Sequence, residues 1–350
     1  MVIVKEKFGK LESGKEVFIY TLKNEKNFEV KISDYGGIIV SVITPDIDGK
    51  FSDICLGKAS LKDYEKGHPY FGALTGRVAG RIGNGKFQLN DTIYNLDKNN
   101  GPNCLHGGVD GWHLQVWKSK IINHGENEKL HLYYEDYDGH NNFPGCVKVE
   151  VIYALVDNAL EITYRAKSDK DTPFNPTNHC YFNLSGDNFG SLKHHAVQIF
   201  SNSTAVVNSD MTLTGERSDL VPGINDFRKP VKLGGLSEMS YRNVDTHYFF
   251  EEGRTKIPRK IAKISDEKSG RIMEVHTTEP GAQFYAGINL SLTEPDIGKD
   301  GKPYKNCGAF CIETQDYPDS VNFPLLGNAI LKAGEQFYSQ TRYCFNTLIV

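Results

Sequence analysis

The chain has 350 residues, enough to bury a large core. Hydrophobic residues make up 39% and charged residues 24%, ordinary globular proportions that argue against a disordered or fibrous class. The net charge is −4 and no stretch concentrates Lys or Arg, which argues against nucleic acid or a membrane as partner.

The opening MVIVKEKFGKLESGKEVFIY lacks the long apolar core of a signal peptide. No apolar run elsewhere approaches the roughly 18 residues of a membrane-spanning helix. Phe28, Val30 and Ile32 alternate with Glu29 and Lys31, the period of a strand with one buried face. Gly36-Gly37 mark a turn, after which Ile38, Val40 and Val42 resume the alternation. Leu61 to Lys66, just before Gly67, is the best helical stretch and is short. Val147, Val149, Val151 and Tyr153 alternate, Asp157-Asn158 turn the chain, and Leu160, Ile162 and Tyr164 alternate again. That pattern predicts a hairpin. Ala309, Cys311 and Glu313 share one face of a strand, and Ile330, Phe337, Tyr343 and Phe345 mark the closing strands. Glycine and proline are spread throughout as turn punctuation, with no linker, repeat or low-complexity block. The expectation is a single domain over residues 1–350 in the all-β class: a large antiparallel β-sandwich with few short helices. The seven cysteines are widely spaced and include no C-x-x-C. Their odd number predicts reduced thiols and, with the N-terminal sequence, a cytoplasmic location. Sequons at Asn183 and Asn289 are then accidental.

Five stretches combine polar functional groups with turn residues: GRVAGRIGNGKF (76–87), NCLHGG (103–108), FNPTNHCYFNLSG (174–186), NVDTHYFF (243–250) and CIETQDYPDSVNFP (311–324). They offer a guanidinium (Arg77 or Arg81), two imidazoles (His106, His179) and two carboxylates (Asp245, Glu313). Each has a plain structural reading beside the functional one. An Arg in a Gly-rich turn reads first as a surface residue. His106 could cap a loop, His179 could be a satisfied core histidine, and Asp245 could be a turn residue. Glu313 in an apolar strand is costly without partners, though an ion pair would explain it. Asn175 to Asn178 read as a turn. His106, His179, His247 and Glu313 could in principle hold a metal, but none of the tight spacings of such sites is present. His194 and His195 are adjacent and cannot easily share one ion. The expectation is therefore no metal. Neither a dinucleotide or phosphate loop nor a serine-hydrolase elbow occurs.

In combination these stretches resemble the aldose 1-epimerase (galactose mutarotase) family, over about residues 28 to 345. LHGG is similar to the family's first histidine motif and DKDTPFNPTNHCYFNLSG to its second. PGAQFYAGINL (280–290) resembles the segment that supplies a glutamine, here Gln283. CIETQDYPDSVNFP resembles the segment that carries the catalytic glutamate, and GRVAGRIGNGKF the arginine-bearing turn. The resemblance implies a supersandwich with an open cleft across one sheet. It implies exchange of the α and β anomers of free aldohexoses such as galactose and glucose. It also implies Glu313 as base and His179 as acid, with His106, Arg81, Asp245 and Gln283 holding the sugar and no cofactor. Two positions depart from the family pattern: Gly80, where Asn is usual, and Thr246, where His is frequent. Which aldose is preferred is left open.

Anomer exchange needs a proton taken from the C1 hydroxyl and one given to the ring oxygen. A carboxylate and an imidazolium suit those tasks. Glu313 and Asp245 nearby would favour the protonated imidazole. His179 sits beside Tyr181, Phe182 and Leu184, which would fix its ring and exclude water, while Asn175 and Asn178 bond backbone at the turn. Trp112 and Trp117 could line the cleft or pack beneath it. The expected partner is a small monosaccharide, with the chain a monomer or homodimer. The alternatives are a sugar-binding protein without turnover on the same fold, and an epimerase of a phosphorylated hexose. The second would need Arg77 as well as Arg81 for the phosphate.

Overall fold

The computed structural model describes residues 1–125, 127–223, 225–235, 244–291 and 295–348. Strands dominate, and they pair antiparallel throughout the named sheets. The largest sheet has nine strands in the order 118–124, 127–136, 147–156, 159–168, 336–347, 271–277, 259–266, 195–199, 231–232. A five-stranded sheet is built from the N-terminal meander, Val2–Lys10 to Phe51–Asp53. A second five-stranded sheet has the order 213–219, 203–207, 245–249, 281–285, 311–315.

The local reasons follow the alternation. Val147–Val156 and Ala159–Ser168 pair over their full length around Asp157-Asn158, and Asp157 takes the left-handed conformation (φ 53°) that such a two-residue turn requires. Their inward residues Val147, Val149, Val151, Tyr153, Leu160, Ile162 and Tyr164 lie in one apolar core with Phe182, Tyr343 and Phe345. Leu61–Glu65 is a helix capped by Ser60, whose side chain accepts from the Asp63 N–H. Trp112 and Trp117 are fully buried in the main core, beneath the cleft rather than in its wall.

Two expectations fail. Asn175 to Asn178 are not a turn. Asn175 bridges Val78, and Thr177–His179 is a strand paired with Ala73–Thr75. The asparagine side chains satisfy backbone groups across that strand: the Asn175 amide exchanges bonds with the Asp316 backbone, and Asn178 Nδ2 donates to the Gly72 C=O (2.8 Å). Turn-forming residue types lose here to tertiary hydrogen bonding. Arg77 is not a surface residue. Its Nε donates to Asp136 Oδ2 (3.0 Å), and its other nitrogens donate to Thr172 Oγ1 and to the carbonyls of Pro144, Asp136 and Tyr137.

Candidate active site

The second five-stranded sheet carries the cleft floor. Side chains alternate across a strand, so Asp245 and His247 share one face, as do Gln283 and Tyr285, and Cys311, Glu313 and Gln315. Register sets Gln283 between His247 and Glu313, and Tyr285 between Asp245 and Cys311. The result is a polar grid at the bottom of one cleft, whose walls include Tyr70, Gly80, Arg81, His106, His179 and Tyr181. All six residues expected to act therefore come together: Glu313, His179, His106, Arg81, Asp245 and Gln283.

His179 arrives from the opposite wall. Thr177 Oγ1 donates to the Thr314 C=O (2.9 Å), clamping its strand to the one that carries Glu313. His179 Nε2 then lies 3.6 Å from Glu313 Oε1, and both side chains are buried. The other ring nitrogen, Nδ1, faces Cys311 Sγ at 3.5 Å. A thiol donating to Nδ1 leaves the proton of the neutral ring on Nε2, toward the cleft. Of the expected neighbours only Tyr181 meets the ring, stacked at 4.9 Å; Phe182 and Leu184 point into the main core. The second flanking ring is Tyr70, stacked at 5.7 Å on a loop that shows no periodicity.

His106 sits in the left-handed region (φ 50°) ahead of Gly107. A Cβ at Gly107 would stand 1.9 Å from the Gly76 carbonyl oxygen, so only glycine lets the LHGG loop close on the arginine turn. The two readings of His106 are both realised. Its Nδ1 accepts from the Gly80 N–H (3.2 Å), capping that turn, while its ring lines the cleft 5.2 Å from His179. Gly80 itself has φ +74°, and a Cβ there would come within 2.6 Å of Pro318. Arg81 Nε donates to Asn100 Oδ1 (2.9 Å), and Gln283 Nε2 donates to Asp245 Oδ1 (2.6 Å). Thr246 faces away from Asp245. The imidazole that alternation places in the cleft is His247, whose ring nitrogens have no protein partner among the described residues. The signal for it was its spacing of two from Asp245.

Electrostatics revise the expected proton placement. Burial pushes the Glu313 carboxyl well up, Asp245 pushes it further, and Arg81 opposes. Burial pushes His179 down to about 4 and also lowers His106. Asp245 is raised by burial against the pull of Gln283 and Arg81. Desolvation, not attraction from the carboxylates, therefore governs the imidazole. Both shifts favour a shared proton on Glu313 over one on His179. His106, His179 and Glu313 present ligand atoms within 4.8 Å of one another, a set that could hold a divalent cation. His247 is not part of it.

The fold and the cleft define a large β-sandwich protein whose cleft gathers two carboxyls, imidazoles and a guanidinium. The aldose 1-epimerase family model matches residues 19–344. A galactose mutarotase from Sus scrofa is 37% identical over 98% of both chains. An aldose 1-epimerase from Escherichia coli is 31% identical, covering 95% of this chain and 96% of its own. The crystal structure of a galactose 1-epimerase from Lactobacillus acidophilus superposes with a TM-score of 0.83 at 26% identity over 99% of each chain. The chain belongs to the aldose 1-epimerase family.

Proposed function

We propose that this aldose 1-epimerase, an isomerase, interconverts the α and β anomers of free aldohexoses such as galactose and glucose. The observation that carries the reading is the 3.6 Å approach of His179 Nε2 to Glu313 Oε1 within one buried cleft. O1 and O5 of a pyranose share C1, so a base and an acid a few ångströms apart can reach both.

The proton count balances. A buried pair with one proton can hold it on Glu313 or on His179, and the sugar's hydroxyls supply the hydrogen bonds that favour the charged arrangement. Glu313 carboxylate takes the C1 hydroxyl proton as the C1–O5 bond breaks, and O5 takes the proton of the His179 imidazolium. The open aldehyde rotates about C1–C2. Reclosure returns the O5 proton to His179, while O1 regains a proton from Glu313. The pair ends as it began, and neither step needs an electron acceptor or a metal. His106, Arg81, Asp245 and Gln283 hold the remaining hydroxyls. A phosphorylated hexose loses its support, because Arg77 is committed to Asp136 beneath the turn.

We further take residues 1–350 as one aldose 1-epimerase domain, cytoplasmic, acting on a small sugar as a monomer or homodimer. The family match over residues 19–344 and the widely spaced cysteines, with no C-x-x-C, support this. The test is saturation transfer between the anomeric protons of galactose and of glucose by NMR. Transfer that scales with enzyme supports turnover; tight binding without transfer would replace it with the binding-protein reading.

A further inference from the structure

Tyr70 stands in an unusual backbone state for its size. Its φ is +61°, a region that bulky L-residues avoid because Cβ crowds the following carbonyl. Such strain persists only where the surroundings over-determine it, and it gathers at functional sites. Here the surroundings are specific. The Ala73 N–H donates to the Tyr70 C=O (3.0 Å), closing a tight turn. Within that turn the Gly72 N–H donates to the His179 C=O (3.0 Å). The Gly72 C=O accepts from the Asn178 side chain and from the Ile39 N–H (2.9 Å). The loop holding Tyr70 is thus bonded to the very strand that delivers His179.

The ring explains where that strain leads. Tyr70 packs edge-on against His106 at 4.6 Å, against His113 at 4.6 Å, and nearly parallel to His179 at 5.7 Å and 25°. Tyr181 stacks on His179 at 4.9 Å and 26°. His179 therefore meets two aromatic rings at similar tilt, and one of them also contacts the second cleft imidazole. An ordinary φ at residue 70 would swing this ring away from its place between the two histidines.

We propose that Tyr70 is a positioning residue that fixes the plane of His179, and through it the aim of Nε2, relative to His106 and Glu313. The role rests on the reading of His179 as the acid. Misplacing a catalytic group by about an ångström costs on the order of 10²-fold in rate, so the ring matters to turnover more than to binding.

The test uses Tyr70→Asn and Tyr70→Gly, both of which tolerate the left-handed backbone, with Tyr70→Phe as the conservative control. Initial rates of α-galactose mutarotation give kcat and KM, and circular dichroism checks folding. The expected result is a kcat lower by about 10- to 100-fold for Asn and Gly with KM within about threefold, and recovery of most of the rate by Phe. Wild-type kcat in the Asn and Gly variants would overturn the proposal. So would a rise in KM with kcat kept, which would make Tyr70 a wall of the binding site only. Should Asn and Gly both fail to fold, the Phe variant decides. A kcat close to wild type supports the role of the ring, and a large loss would contradict it by pointing to the hydroxyl. An inactive wild type would instead sink the proposed function and leave a different failure on record.

Discussion

Two buried clusters of ionisable groups in this molecule are built in opposite ways. Beneath the arginine turn, Asp136 accepts from Arg77 Nε (3.0 Å), Trp112 Nε1 (2.9 Å) and His140 Nδ1 (2.6 Å). Burial would raise this carboxyl, yet His140, Arg77 and Trp112 together hold it below the usual carboxylate range. In the cleft, the Glu313 carboxyl accepts no hydrogen bond among the described residues; its nearest ionisable neighbour is His179 at 3.6 Å, and its pKa is pushed up. The histidines differ in the same sense. Burial pushes His140 down, but Asp136 and Asp110 outweigh it and leave it raised, whereas His179 falls to about 4. A buried charge kept for structure is saturated with partners. On the proposed reading, an ionisable group kept for chemistry is left unsaturated, so that the ligand completes it.

The contrast breaks most visibly at Glu313. Glu313→Gln should lower kcat by about 10²–10⁴-fold, the usual worth of a general base, as measured by initial mutarotation rates. The same variant should melt higher than wild type at neutral pH. A carboxyl with a raised folded pKa destabilises the fold above its unfolded pKa. The gain in Tm should therefore shrink as pH falls toward the ordinary glutamate range. Asp136→Asn should do the reverse. It should destabilise by about 3–5 kcal/mol in chemical denaturation, because Arg77 keeps its charge without its partner, while KM of the folded fraction stays near wild type.

Smaller effects sharpen the picture. In the free enzyme the pair should work while it carries one proton. It gains a second as pH falls through about 4, where His179 protonates, and loses the only one as pH rises through the raised pKa of Glu313. The profile of kcat/KM should fall at both ends, with the acid limb near that value; a limb near the free imidazole value would mean that burial does not control His179. Gln283→Leu leaves Asp245 without its 2.6 Å donor. It should raise KM by about tenfold with a lesser change in kcat, read from the same initial-rate curves.

Much of this was legible in the sequence where a period or a motif carries it. Alternation placed the hairpin at Asp157-Asn158 and set Cys311 and Glu313 on one face, and register then did the rest. The LHGG motif was legible by resemblance, and the Gly76 carbonyl is what its glycine at 107 admits. Other features have no local signature. The strand at Thr177–His179 reads as a turn because Asn and Pro favour turns in isolation, and only the distant Gly72 and Asp316 backbones make it a strand. The burial of Arg77 depends on Asp136, 59 positions away. Tyr70 and Asn100 enter the site through three-dimensional neighbours, and the protonation of His179 depends on desolvation, which composition does not reveal.

The most direct test is polarimetry of freshly dissolved α-D-galactose and α-D-glucose with wild type, Glu313→Gln and His179→Asn, each dialysed against EDTA. The account predicts rapid relaxation of the rotation by wild type, its loss in both variants, and no effect of EDTA. Relaxation that persists in either variant, or that vanishes with EDTA, would contradict a one-proton exchange between Glu313 and His179.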